Sequence, residues 1–493
     1  MKHPNILFIM TDQMRHDALA CNGNPVINTP NYDRLAAEGV NFSNSFSTNP
    51  ICVPARATII TGCYSHKCTG TKNNSGAIRD GFPLLPEILA EQGYETYSAG
   101  KLHYLPYAAP DEPRLTHGFQ HVKLCESGRI LSKFDPKAEK RGVEDYIDYL
   151  ADVGWAGYSR ADAMGNNDVY PNSTPIPEEH YVDSWVADCS LTFLEEHLKK
   201  HPNKPFFLHA SFPKPHSAFD PPHPWDRMYD PRTMPLPQGD IDLLKERELD
   251  DMVLQNWEYM WDLLSPQAKQ TITAHYYGLI SLQDKQVGRI LDFLDARNLT
   301  QDTIIVYTSD HGEMLGDLGL YFKVKMYNGS IRVPLMFAYP AKLPQGTVCD
   351  MPAGIHDIMP TLLSLADIPL NAPVDGIDLT PAMLGKYQER TCMVSHTLES
   401  PRQQYMVADK EYKYIYHEVN GVEELYDQRF DRGELHNLAK DMPEKVTEFR
   451  EYLKEWCMKM GDTEIFDGEN FKITSLHYDK MPDRKNHFGR RQY

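Results

Sequence analysis

Short apolar runs bounded by turn residues punctuate the first three quarters of the chain. Residues 6–10, 206–211, 304–309 and 335–339 are apolar enough throughout to read as strands buried on both faces, and 96–100 reads as a weaker fifth. Between them, residues 31–38, 84–92, 272–297 and 356–366 carry apolar positions at helical spacing. Buried strands alternating with amphipathic helices predict an α/β fold built on a large, mostly parallel sheet flanked by helices. In such sheets ligands bind beyond the carboxyl ends of the strands. The polar residues that end these runs therefore become candidates for chemistry: Asp12, Lys101 with His103, His216, and Asp310 with His311.

The texture changes after about residue 370. Residues 406–409 and 412–417 flank Lys410-Glu411 as a hairpin would, 423–427 follows as another strand, and 443–460 has an amphipathic helical period. This predicts a smaller antiparallel sheet with one covering helix, and a division into a catalytic unit, 1–370, and a C-terminal unit, 371–493. The final segment, 484–493, is basic and has no apolar period; it closes over a pocket, meets a neighbouring subunit of a homo-oligomer, or stays disordered. Residues 108–181 are rich in Gly, Pro, Asn and Asp and read as a set of loops, the part of such a fold that usually sets substrate choice.

Charge narrows the possible partners. A formal net charge of −19 repels nucleic acid and anionic membranes. Any pocket for an anion must then bring its own concentrated positive charge. The apolar run at 6–10 is too short for a signal-peptide core, and no stretch reaches the roughly 20 apolar residues of a membrane helix. Nine cysteines, an odd number scattered along the chain, suit reduced thiols and a cytoplasmic location.

The sharpest local pattern is Cys52-Val53-Pro54-Ala55-Arg56-Ala57-Thr58-Ile59-Ile60-Thr61-Gly62. Pro54 suits the opening of a helix and Gly62 its end, so Cys52 falls at a helix N-terminus, where backbone N–H groups favour negative charge. Asp12-Gln13 and Asp310-His311 each follow a strand and pair a carboxylate with a second donor. Two carboxylates and an amide oxygen suit Ca²⁺ or Mg²⁺, and an imidazole shifts preference toward Mn²⁺. Positive and proton-carrying groups recur in three further segments: Gly100-Lys101-Leu102-His103, Pro213-Lys214-Pro215-His216, and Gly316-Asp317-Leu318-Gly319-Leu320-Tyr321-Phe322-Lys323. Cys63, His66 and Cys68 lack the fourth ligand and the spacing of a zinc knuckle, so the two thiols read as structural.

Together these segments resemble the type I sulfatases of the alkaline-phosphatase-like superfamily. The run from Cys52 resembles their signature Cys-x-Pro-(Ser/Ala)-Arg followed by Thr-Gly. The lysine segments resemble Gly-Lys-x-His and Gly-Asp-His-Gly-Leu-x-x-Lys, with Leu318 in place of the motif histidine. Met326 to Leu335, and Glu424-Leu425-Tyr426-Asp427 with Glu434 to Leu438, extend the likeness across nearly the whole chain. The family usually has Asp-Asp where this chain has Asp12-Gln13, so the site keeps four ligands and loses one charge.

The resemblance implies a formylglycine made from Cys52 by a maturation enzyme, and one divalent metal, Ca²⁺ foremost, on Asp12, Gln13, Cys52, Asp310 and His311. The aldehyde's hydrate attacks sulfur, and its second hydroxyl can later expel sulfate, which a thiol could not do. Arg56 would steady the alkoxide and Lys101 and Lys323 would hold sulfate oxygens. His103 would take a proton from the hydrate and His216 would protonate the leaving alcohol. The implied substrate is a small sulfated compound such as a sulfated mono- or disaccharide. Lys214 and Lys325 read as solvent-facing alternatives, and Arg15, His16, Asn73 and Asn74 as possible substrate contacts.

Two rivals remain open. Phosphonate monoester or phosphodiester hydrolases of the same superfamily also pair Asp-Gln with Asp-His, but tend to lack the Lys-x-His seen here as Lys101 and His103. A non-catalytic binder of sulfated glycans would result if Cys52 were never converted.

Overall fold

A computed structural model describes residues 3–104, 114–126, 141–160, 168–386 and 390–476. The tail at 484–493 and part of the loop region lie outside them. In chain order the strands are β1 (Asn5–Asp12), β2 (Val40–Phe42), β3 (Ser45–Phe46), β4 (Glu95–Gly100), β5 (His121–Leu124), β6 (Phe206–Pro215), β7 (Thr303–Ser309), β8 (Leu335–Ala338), β9 (Thr347–Cys349) and β10 (Ala353–Gly354). All but β3 and β10 join in one eight-stranded sheet, ordered β5-β4-β6-β1-β7-β8-β2-β9. The run from β5 to β7 is parallel, and β8 lies antiparallel to both β7 and β2. The C-terminal unit adds β11 (Met393–Thr397), β12 (Gln404–Ala408), β13 (Tyr412–His417) and β14 (Glu423–Asp427) as an antiparallel meander, with the helix Pro443–Met460 packed on it.

The alternation along the central strands shows why the sheet is buried on both sides. Leu7 and Ile9 of β1 and Ile305 and Tyr307 of β7 enter one core, beside the helices Val182–Lys200 and Pro266–Ala296. Ile6, Phe8 and Met10, with Ile304 and Val306, enter the other, beside Cys52–Thr61, Leu85–Glu91 and Ile358–Leu365. Side chains two apart share a face, so an unbroken apolar run supplies both cores at once.

The expected strands and helices are present with shifted ends. The long helix starts at Pro266 rather than 272, because the Ser265 hydroxyl accepts the Ala268 N–H and proline suits the first turn. β6 runs past 211 to Pro215, which carries His216 to the site. The loop reading of 108–181 is corrected in part: β5 lies within it, paired with β4, and so does the helix Asp145–Asp152, whose buried face is Tyr146 and Leu150. That helix is short and flanked by breakers, which hid its period.

Candidate active site

Four parallel strands deliver the site. Asp12 ends β1; Lys101 follows β4; His216 follows β6; Asp310 and His311 follow β7. β4, β6, β1 and β7 are consecutive neighbours, so their carboxyl ends converge. At Gly100 the backbone takes φ 108°, and a Cβ there would lie 1.9 Å from the Ser211 carbonyl oxygen. Only glycine fits, and the close approach lets Lys101 N–H donate to that same oxygen at 3.0 Å.

The nucleophile position is built as a helix start. Cys52–Thr61 is buried at every residue, Arg56 included, and Gly62 closes it at φ 68° by donating to Thr58 O. The helix has no cap of its own; Asn74 Oδ1 accepts the Val53 N–H at 3.1 Å from a separate loop. Asn74 is therefore a helix-capping residue. Asn73 turns on itself and accepts from Ser75 N–H at 2.8 Å.

Around Cys52 the charges interlock. Lys323 Nζ donates to Cys52 Sγ at 3.1 Å and to Gln13 Oε1 at 3.0 Å, and lies 2.7 Å from His216 Nε2. His311 Nε2 is 3.2 Å from Cys52 Sγ, 3.7 Å from Asp12 Oδ1 and 3.6 Å from Asp310 Oδ1. One ligand atom each from Asp12, Cys52, Asp310 and His311 lies within 4.8 Å of the others. Arg56 sits beneath them: Nε donates to Asp310 Oδ2 at 2.9 Å, Nη2 to Asp12 Oδ2 at 3.3 Å, and Nη1 to Lys101 O at 3.0 Å. Lys101 Nζ also donates to Asp12 Oδ2. Arg56 thus spends its hydrogen bonds on the two carboxylates, the Lys101 carbonyl and the Ser211 hydroxyl, 3.2 Å from Nη1. His103, at φ 45°, is fixed through its N–H, which donates to Glu126 Oε1 at 2.9 Å.

These contacts concentrate positive charge in an acidic protein. Burial and Asp12 both push the Cys52 thiol up, yet Lys101, Lys323 and His311 bring it down to about 6. Burial opposes ionisation of Asp12 as well, but Lys101, His216, Arg56 and Lys323 hold its carboxyl well below the usual carboxylate range. Position 52 is therefore arranged to carry negative charge.

Several sequence-level assignments are refined. Lys325 is buried, not solvent-facing, and Lys214 bonds Asp220 and the Ala218 carbonyl. Arg15 is committed to Asp17 and to Asp317, 2.8 Å away in each case, and His16 Nε2 lies 3.3 Å from Phe42 O. Cys63 and Cys68 are buried free thiols, as structural residues would be. Glu313 was missed. Fully buried, it accepts from Gln13 Nε2, from Leu315 N–H at 3.0 Å and from Phe322 N–H at 2.6 Å. It fixes which end of the Gln13 amide faces the site. Its place three residues after Asp310 was the only available signal. Phe322 and Val324, either side of Lys323, have φ of 67° and 72°.

The site tolerates a cation on its own evidence. Asp12 Oδ1 is buried without a hydrogen-bond partner, 3.7 Å from His311 Nε2. Two carboxylates, an imidazole and the Gln13 amide oxygen form a mainly oxygen donor set, which suits a hard divalent ion.

Comparison with known proteins identifies the family. The family model described as Sulfatase matches residues 4–368, and one described as N-sulphoglucosamine sulphohydrolase, C-terminal, matches 316–461. An arylsulfatase of Clostridium perfringens is 30% identical over 467 residues, covering 92% of this chain and 94% of its own. An N-acetylglucosamine-6-O-sulfatase of Bacteroides thetaiotaomicron is 25% identical, with 94% and 88% covered. The crystal structure of a phosphonate monoester hydrolase of Agrobacterium radiobacter shares the fold at a TM-score of 0.76 and 23% identity, covering 93% of this chain and 96% of that one.

Proposed function

This chain belongs to the sulfatase family and is a sulfuric ester hydrolase, and from that premise we propose that it hydrolyses the sulfate monoester of a small sulfated carbohydrate, using formylglycine made from Cys52 and one divalent cation. The observation that carries the reading is the Lys323 ammonium, which touches Cys52, Gln13 and His216 at once. Residues from four separate segments thereby meet around one cationic group.

Asp12, Gln13, Asp310 and His311 would hold the cation, with Ca²⁺ the best match to the donors and Mg²⁺ or Mn²⁺ the alternatives. Bound there, it supplies Lewis acidity toward a sulfate oxygen, and the hydrated aldehyde supplies an oxygen nucleophile with a second hydroxyl. The chain's own residues do the rest. Lys101 and Lys323 neutralise sulfate oxygens as charge shifts during transfer. Arg56 locks both metal-facing carboxylates in place and fixes their rotamers. His216 Nδ1 lies 2.7 Å from Ser217 O and Nε2 lies 2.7 Å from Lys323 Nζ; with Nδ1–H donating to Ser217 O, the ring in its doubly protonated form would give its Nε2 proton to the departing alcohol. His103, two residues after Lys101, would take a proton from the nucleophile.

A carbohydrate sulfate is favoured by the N-acetylglucosamine-6-O-sulfatase relative. All nine cysteines are unpaired, which accords with a cytoplasmic location. Among the described residues no helix is long and apolar enough to cross a membrane. The test is a paired measurement on protein from its native host. An aldehyde-specific label on the peptide spanning residue 52 reports maturation. A screen of sulfated sugars, aryl sulfates and phosphonate esters reports the substrate. Labelled protein that turns over sulfated sugars fastest supports the reading. Preference for phosphonate esters would move it to the rival hydrolase class, and an unconverted thiol in an inactive protein to a glycan binder.

A further inference from the structure

A second cluster of metal-ligand type lies away from the active site. His66, His396 and Asp462 offer three ligand atoms within 4.8 Å of one another. They come from the short helix Ser65–Cys68 that follows the catalytic helix, from β11, and from the turn after the C-terminal helix. His66 is part-buried, His396 wholly buried and Asp462 4% exposed.

The hydrogen bonding around the cluster points inward. His66 Nε2 lies 3.3 Å from the Met460 carbonyl oxygen, which can only accept, so Nε2 carries the proton and Nδ1 the lone pair. His396 Nε2 lies 3.1 Å from Ser65 Oγ, which can accept from it. Both Nδ1 atoms are buried and neither makes a hydrogen bond. The gap from His396 Nδ1 to Asp462 Oδ2 is 3.6 Å, too long for a hydrogen bond. It is close to the ~3.4 Å edge of a tetrahedron whose ligands sit about 2.1 Å from a metal.

A metal-bound histidine normally donates its other ring N–H to a carbonyl or hydroxyl, the pattern found on both rings. Asp462 is oriented by Tyr405 Oη, 2.6 Å from Oδ2, and by Lys72 Nζ, 2.8 Å from Oδ1. Trp456 packs edge-on against both imidazoles, with centroids 5.8 Å from each.

We propose that His66 Nδ1, His396 Nδ1 and Asp462 Oδ2 form a structural site for a borderline transition metal, zinc foremost, that staples the C-terminal sheet and helix to the segment following the catalytic helix. One carboxylate, already shared with Lys72, is too little negative charge for Ca²⁺ or Mg²⁺, whereas two imidazoles suit zinc. The site is independent of the sulfatase chemistry.

The experiment uses the full chain, stripped by a chelator, returned to excess Ca²⁺ and titrated with Zn²⁺, with metal per chain measured by elemental mass spectrometry. Wild type and Asp310→Asn should each retain about one zinc per chain. His66→Gln and Asp462→Asn should bind zinc ~10-fold or more weakly. Co²⁺ should give visible tetrahedral bands in Asp310→Asn that vanish when His66→Gln is added. His66 is part-exposed, so His66→Gln should fold, and sulfatase activity verifies that it has. Failure of wild type, or of Asp310→Asn shown to be folded by circular dichroism, to retain zinc, or unchanged zinc affinity in folded His66→Gln, overturns the proposal.

Discussion

Lys323→Ala is the most informative single substitution. Lys323 is 8% exposed, and its ammonium lies within 3.1 Å of Cys52 Sγ, Gln13 Oε1 and His216 Nε2. A unit charge about 4 Å from a developing sulfate charge is worth ~4 kcal/mol at an effective dielectric of ~20. Each ~1.4 kcal/mol is a factor of ten, so the upper bound is a loss of about 10³ in kcat/KM. Water entering the vacated space returns part of this, which sets the expectation at ~10²–10³, the range of one oxyanion donor. Folding should change little, because Lys323 makes no direct ion pair with a carboxylate among the described residues, and Asp12, whose charge it helps to hold, keeps Arg56 and Lys101 as partners. The assay is kcat/KM on a sulfate monoester, normalised to aldehyde content at residue 52 and to bound metal. A loss under about tenfold, with aldehyde and metal intact, would refute the placement of Lys323 on the transferring group.

Three further substitutions probe other parts of the site. Cys52→Ala should abolish turnover while leaving the thermal midpoint nearly unchanged, since alanine suits a helix start; residual wild-type activity would exclude residue 52 as the nucleophile source. His216→Ala should slow alkyl sulfates by ~10²–10⁴ and aryl sulfates far less, because a good leaving group needs little protonation; equal losses on the two classes would remove His216 from the acid role. Asp310→Asn should strip the catalytic cation and also lower stability by up to about 3–5 kcal/mol, because the fully buried Arg56 loses its 2.9 Å partner. Calorimetry showing an unchanged midpoint with full metal occupancy would mean that the Arg56–Asp310 pair and the ligand set are both wrongly assigned.

What the sequence by itself determined is local. Continuous apolar runs specified strands buried on both faces, and polar residues at their ends named most of the site, because a strand's end and its period are written in a few adjacent residues. Asp12, Cys52, Arg56, Lys101, His216, Asp310, His311 and Lys323 were legible this way, helped by the resemblance of their segments to one family. Element ends were less legible: β5 and the helix at Asp145–Asp152 are too short for their periods to show.

Only the tertiary structure decided which side chains touch. Arg56 reads in sequence as a group for the nucleophile, yet its hydrogen bonds go to two carboxylates 44 and 254 residues away. Asn74 reads as a rim residue and caps the catalytic helix. Glu313 orients Gln13 across 300 residues, and His66, rejected as part of a zinc knuckle, meets His396 and Asp462. The physical reason is shared by all four. A side chain's role follows from where its hydrogen bonds and charge are satisfied after burial, and sheet order and loop return bring those partners together from positions that leave no periodic trace along the chain.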